Sequence, residues 1–260
     1  MDAVLTRAAL PILDYDDDPF DPISHGILAA SELRLPNRAV LTLLGRLTDR
    51  WAAEHGFERV DTVTMITRDF PIWVGRHGGG RGVEVALVEI PVGAPAAAIV
   101  FEHLLLFGVR TVVAAGSCGG LIHFDEGEFV LPTRALRDEG TSYHYLPASR
   151  WVATDASLRA ACAAAIEAAG MTYAECATWT TDAFLRETPA VIAARREEGC
   201  QVVDMECSAL AAVARFRAAR FAQIMYTADT LATDEHDQRS WGRAARPAAL
   251  RLALDAIARC

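Results

Sequence analysis

The chain has no CxxC pair. Its six cysteines (Cys118, Cys162, Cys176, Cys200, Cys207 and Cys260) are scattered over 260 residues. That spacing argues against a zinc site and predicts free thiols in a cytoplasmic, metal-independent protein. The start, MDAVLTRAALPILDYDDD, lacks a basic segment followed by an apolar one, so no secretory signal is expected. No apolar run approaches the ~18 residues that span a bilayer. No basic run is present either, and 25 basic against 34 acidic residues leave a formal charge of -9. Nucleic acid and anionic membranes are therefore poor partners, and an anionic co-substrate needs a local basic pocket. A G-x-G-x-x-G turn is also missing: Gly45 stands alone between the first strand and the first helix, which excludes a Rossmann-type dehydrogenase.

What is present is apolar and regularly alternating. With 52% hydrophobic residues and no linker-like stretch, residues 1–260 read as one domain, in which 1–36, acidic and proline-punctuated, form an irregular lead-in. Strands are expected at Ala39 to Leu44, Val60 to Phe70, Val83 to Ile90, Glu128 to Leu131, Thr133 to Leu136, Gln201 to Asp204 and Phe221 to Thr227. A further strand ends in TWTTDAF (Thr178 to Phe184). Helices are expected around Arg46 to Glu54, at Pro91 to Gly108, Asp155 to Ala169, Pro189 to Glu198, Met205 to Phe216 and Arg246 to Arg259. Strand and helix alternate, which predicts an α/β fold with a central mixed, largely parallel twisted sheet flanked by helices. The RHGGGRG stretch, Arg76 to Gly82, reads as a hairpin turn rather than a phosphate loop, since no helix follows it. The centre of the pattern is GVRTVVAAGSCGG, Gly108 to Gly120: a doubly buried strand running into a glycine-rich turn, where open α/β sheets bind ligands.

Three stretches carry a resemblance. PVGAPAAAIVFEHLLLFGVRTVVAAGSCGGL, VVDMECSALAAVA and IMYTADT, in that order and spacing, resemble the nucleoside phosphorylase family of purine nucleoside phosphorylases, uridine phosphorylases and methylthioadenosine nucleosidases, over about Ala39 to Ala258. The resemblance implies a single α/β domain that cleaves the bond between a base and a ribose. It also implies a homo-oligomer, a dimer or a hexamer built as a trimer of dimers, in which neighbours complete each other's sites.

Such cleavage passes through an oxocarbenium-like sugar, so the ribose must be held, the base helped to leave and a nucleophile presented. Glu206 suits the first task, as a carboxylate able to accept from two vicinal hydroxyls near the developing cation. From the residues alone it is better read as a helix-start carboxylate favoured by the dipole; in the family a matching Met-Glu pair, here Met205 and Glu206, grips the ribose. Asp229 matches the aspartate that protonates a departing purine, with a helix N-cap as its alternative. Phe184 matches the aromatic covering the base, with plain core packing as the alternative, and Cys118 and Gly119 match positions lining it. Val203 and Asp204 are expected against base or sugar. Cys118 reads as a packed thiol rather than a nucleophile. Asp229 tilts the expected base toward purine, and the glutamine and arginine that read uracil in relatives are not recognisable in Leu185, Arg186, Glu187 and Thr188; a uridine-type phosphorylase and a silent nucleoside-binding sensor are the alternatives.

For the third task the family implies inorganic phosphate as co-substrate, with no other cofactor. Gly45, Arg50, Arg68 and Ser117 match its phosphate-binding positions, Arg68 reaching a neighbour's site, and Arg46 is an alternative to Arg50. The family's arginine before the glycine-rich turn is replaced by Ala114. Two readings stay open: phosphorolysis with the remaining contacts, or attack by water as in the nucleosidase branch. Of the histidines, His144 in the RDEGTSYHY loop is a candidate sugar contact or a backbone-bonded loop residue. His25, His77 and His236 are expected at the surface, His103 on a helix face, and Arg137 with Asp138 as a structural pair. Arg239 and Arg243 lie where purine-specific relatives carry an arginine that closes on the acid.

Overall fold

The computed structural model describes residues 5–80, 82–233 and 235–260. In chain order the elements are α1 (Pro22–Ala29), β1 (Arg38–Thr42), α2 (Leu47–Glu54), β2 (Glu58–Thr64), β3 (Asp69–His77), β4 (Val83–Glu89), α3 (Ala94–Leu106), β5 (Thr111–Gly120) and β6 (Phe129–Asp138). Then follow β7 (Trp151–Ala153), α4 (Ala156–Ala168), β8 (Tyr173–Thr181), α5 (Pro189–Glu197), β9 (Cys200–Asp204), α6 (Cys207–Phe216), β10 (Arg220–Thr230) and α7 (Arg246–Ile257). This is the expected α/β arrangement, a mixed sheet flanked by helices.

The sheet is organised on β5. Along one edge β5 pairs in parallel with β1, from Arg38↔Thr111 to Thr42↔Ala115. On the other edge it pairs in parallel with β10. At its far end Gly119 and Gly120 pair antiparallel with Val203 and Val202 of β9. Since β9 joins β8, β8 joins β6 and β6 joins β10, these five strands close a ring, while β1, β4, β3 and β2 extend from β5 as an open wing. Residues of β5 alternate between two cores. Val112 and Ala114 face the core under α3 and α6, and Val113 and Ala115 face the one under α4 and α7. Burial on both faces explains the unbroken apolar run.

Several expectations need correction. The glycine-rich segment after Ala115 is strand, not turn. β9 passes so close that a Cβ on Gly119 would lie 3.0 Å from Val203 Cγ1, so the glycines serve strand packing as well as ligand approach. The strand expected over Val60 to Phe70 is two strands, β2 and β3, joined by a turn in which Met65 N donates to Arg68 O. Apolar Met65 and Ile66 hide that break, and Ile66 is fully exposed in the turn. The two short strands expected at Glu128 to Leu136 are one, β6, with a register shift between Pro132 and Arg134, where proline supplies no ladder donor. β7 was not foreseen. The hairpin at Arg76 to Gly82 forms as expected, with Arg81 outside the described residues. Of the lead-in, residues 1–4 also lie outside them. Pro22–Ala29 is a regular helix, its first turn capped by Asp21, whose Oδ1 accepts from Ser24 N at 2.7 Å.

Arg137 and Asp138 do not pair. Asp138 accepts from Trp179 Nε1 and from Arg195. The buried Arg137 guanidinium instead donates to Ser142 Oγ and O, Leu146 O, Pro147 O and Ser149 Oγ, at 2.7 to 3.1 Å. One side chain thus satisfies three carbonyls of the 141–149 loop. Arg137→Ala removes the donors to Leu146 O and Pro147 O and leaves the space of a buried side chain empty, while Ser142 O keeps the amides of Tyr145 and Leu146, and urea unfolding should show a loss of about 1–3 kcal/mol.

Candidate active site

β1 leaves the edge of β5 at Ala115, and β9 arrives at Gly119. Gly116, Ser117 and Cys118 lie between, and a cavity of about 320 Å³ opens beside them. Its walls are Ser117, Cys118 and Gly119 from β5, Val203, Asp204 and Met205 at the end of β9, Asp229 near the end of β10, Phe184 and Glu187 between β8 and α5, Trp241 before α7, and Val92 before α3. Eight residues singled out in the sequence thus converge on one space.

The acids around it have unlike surroundings. Asp204 is saturated: Oδ1 accepts from Thr178 and Thr180 hydroxyls at 2.9 and 2.8 Å, and Oδ2 from the amides of Glu206 and Cys207 at 2.8 and 2.6 Å. Burial raises its pKa against the pull of those donors. Asp204 therefore ties β8 to the start of α6 and has little capacity left for a ligand. Glu206, 5% exposed, is held at Oε1 by Gly93 N at 2.6 Å. Burial, with the neighbouring Asp204 charge, pushes its carboxyl up to about 8.

Asp229 is 7% exposed and lies against Gly119, where a Cβ would stand 3.3 Å from Oδ1. Its Oδ2 shares a 2.8 Å hydrogen bond with His236 Nε2. His236 is exposed, as expected, and is also the partner of the candidate acid. Arg239 instead donates to Phe124 O. Glu187 was not singled out in the sequence. It has no hydrogen-bond partner among the described residues, and burial, then the Asp229 charge, push it up to about 7. Only its nearness to Phe184 could have flagged it. Phe184 is 43% exposed, so it is cavity wall rather than core. The Cys118 thiol is pushed far up by burial, which keeps it protonated and inert as a nucleophile.

Gly45, Arg50 and Arg68 gather elsewhere, in a second cleft of about 720 Å³ with Arg46 and Asp49. Ser117 lies in the first cavity rather than here. The two are neighbours, because a Cβ on Gly116 would touch Leu43, two residues before Gly45. Arg46 and Arg50 have no ion-pair partner among the described residues, whereas Arg68 Nη1 lies 3.1 Å from Oε1 of buried Glu89. Ala114 is fully buried between Leu41 and Gln223. His144 lines neither space; it faces a separate groove with Phe20 and Tyr145. His77, also expected at the surface, is tied to Asp255 at 2.7 Å.

A sequence profile of the phosphorylase superfamily matches residues 26–258. The chain belongs to the phosphorylase superfamily. Its curated relatives include a uridine phosphorylase of Haemophilus influenzae, 32% identical over 82 residues, which are 31% of this chain and 31% of that protein. A guanosine phosphorylase of Halorubrum lacusprofundi is 37% identical over 65 residues, 25% of this chain and 27% of that protein. The matches thus span under a third of either relative's length. The solved purine nucleoside phosphorylase of Toxoplasma gondii in complex with immucillin-H has the same fold, with a TM-score of 0.73 at 17% identity, over 86% of this chain and 91% of that one. The family and the α/β fold expected from the three motifs are borne out. Among the described residues no helix is long and apolar enough to cross a membrane.

The buried acids make stability depend on pH. The pKa of Glu206 in the folded chain, about 8, lies above its ordinary 4.5, so between these values the folded chain keeps a proton that the unfolded chain has released. Stability must fall as pH rises through that window. Urea midpoints measured against pH should show the fall, and Glu206→Gln should flatten it, leaving the smaller part that Glu187 contributes up to about 7.

Proposed function

We propose that this protein is a nucleoside phosphorylase, a pentosyltransferase that cleaves a purine nucleoside with inorganic phosphate to give free base and ribose 1-phosphate. The observation that carries the reading is a cavity lined by Asp229, Glu187 and Met205, with buried Glu206 next in the chain to Met205, and a cleft lined by Arg46 and Arg50, which have no ion-pair partner among the described residues. The ribose hydroxyls donate to Glu206, which favours its anion and sets negative charge beside the developing cation. Met205 packs against the sugar, and Phe184 covers the base over Cys118, Gly119 and Val203. Asp229, backed by His236, delivers a proton to the base as the glycosidic bond breaks and the bond electrons leave with it. Phosphate held by Gly45, Arg50, Arg68 and Ser117 closes on the anomeric carbon from the other side.

The unpartnered Glu187 carboxyl supports a base whose edge offers N–H donors, as oxopurines do. In this reading the enzyme needs no cofactor beyond phosphate, works in cytoplasmic purine salvage as a homo-oligomer, and lends Arg68 to a neighbouring site. Six unpaired cysteines fit a reducing compartment. A second reading, hydrolysis by water, is favoured by Ala114 in place of an arginine and by the partial neutralisation of Arg68 by Glu89.

Base release from a panel of nucleosides, followed by chromatography with and without phosphate or arsenate, separates the two. Phosphorolysis predicts strict dependence on the anion, and equal release in phosphate-free buffer identifies a hydrolase. Glu206→Ala should lower kcat/KM by about 10³-fold with an unchanged circular dichroism spectrum; retained activity removes Glu206 from the site.

A further inference from the structure

Four of the five tryptophans have an evident structural task. Trp51 stacks on His55, Trp73 donates to Asp49, Trp151 lies under the Arg134 guanidinium, and Trp179 donates to Asp138. The fifth, Trp241, is half-buried and lines the cavity with Asp229. Its ring centroid lies 6.0 Å from that of His236, the partner of Asp229. The backbone there is left-handed, with φ of +58°, a conformation that a bulky side chain adopts at a cost. Nearby Arg239 and Gly242 have φ of +50° and +59°. Such strain persists only where surrounding contacts over-determine it, and it collects at ligand sites.

The contacts come from Glu126, in the loop between β5 and β6. Its Oε1 accepts from Ser240 N at 3.0 Å, from Gly242 N at 2.8 Å and from the Ser240 hydroxyl, so one carboxylate oxygen spans the residue between them. Arg239 Nη2 donates to Phe124 O at 2.8 Å, a second tie between the same two segments. Gly242 packs so tightly on Tyr226 that a Cβ there would lie 2.6 Å from Cε2, which fixes the far end. None of these groups lines the cavity; what they hold in place is the indole.

We propose that Trp241 contacts the bound base and selects the larger purine ring over a pyrimidine, and that Glu126 is the positioning residue that turns its indole into the cavity. This rests on the nucleoside-cleaving reading above, and it goes beyond it by naming a base-contacting side chain and the residue that holds it. Stacking on an indole grows with the ring area overlapped, so a two-ring base gains more than a one-ring base. Glu126 acts only through Trp241. Without the carboxylate, the amides of Ser240 and Gly242 lose their acceptor and residue 241 relaxes toward a negative φ.

The test is calorimetric binding of hypoxanthine and uracil to the full chain, since free bases have no glycosidic bond to cleave and the result does not depend on turnover. The wild type should bind hypoxanthine more tightly than uracil, and Trp241→Ala should lose about 10-fold or more of the hypoxanthine affinity and much less of the uracil affinity. Glu126→Ala should reproduce most of that loss, yet add nothing in a Trp241→Ala background. Glu126→Gln, whose amide oxygen still accepts from both backbone N–H groups, should restore binding. Without ligand, the near-ultraviolet circular dichroism that Trp241→Phe removes should also weaken in Glu126→Ala. Additive losses or failed rescue by glutamine make Glu126 merely structural and overturn its part. An unchanged base preference in Trp241→Ala, or no base binding by the wild type, overturns the whole. The expected pattern without base release from any nucleoside removes the cleavage reading and leaves the assignment standing, whereas turnover that Trp241→Ala leaves untouched removes the assignment alone.

Discussion

The structure depends on how one edge of β5 is shared. Two strands use that edge in succession, β1 up to Ala115 and β9 from Gly119, and neither covers Gly116 to Cys118. The interruption forces β9 across the end of β5, which closes the five-strand ring, and it leaves a recess at the strand's carboxyl end. Ligand sites in α/β sheets form where strand connections diverge; here the divergence occurs along a single edge. Close approach of β9 is possible only because residue 119 has no side chain to meet Val203 and Asp229.

Around that recess, hydrogen-bond saturation separates structural acids from available ones. Asp204 accepts four hydrogen bonds and Glu139 accepts from Ser208 and from Ser142 N, so both serve to bind elements to one another. Glu206 keeps one oxygen beyond its bond to Gly93 and Asp229 keeps one beyond His236. Burial raises the proton affinity of Glu206, and any hydrogen-bond donor brought to its carboxylate would lower it. The saturated Asp204 fixes the amide of Glu206 itself, which holds the free oxygen of that side chain in place.

Much of this was legible in the residues. The double burial of β5 and the alternation of strands and helices follow from apolar patterning, and the convergence of Met205, Phe184 and Asp229 follows from what the resemblance to the family implies. What stayed hidden depends on contacts between distant segments. His236 is seven residues from Asp229 in an irregular stretch, and no periodicity marks their hydrogen bond. Glu187 lies in a turn whose polar residues look solvated until α5 and β10 enclose them. The break between β2 and β3 was masked because its turn carries apolar Met65 and Ile66, and the extension of β5 because strand glycines look like turn glycines until a crossing strand is seen above them.

The two spaces differ in the charge they gather. The cavity gathers carboxyl groups, which suits a positive sugar and hydroxyl or N–H donors, and the cleft beside it gathers guanidiniums, which suits an anion. Leu43, just past the end of β1, packs against Gly116, so the segment leading to Gly45 runs close to the segment leading to Ser117. Ala114, Ala115 and Leu44 are fully or almost fully buried nearby in the chain, and charges that face one another across so apolar an interior are screened little.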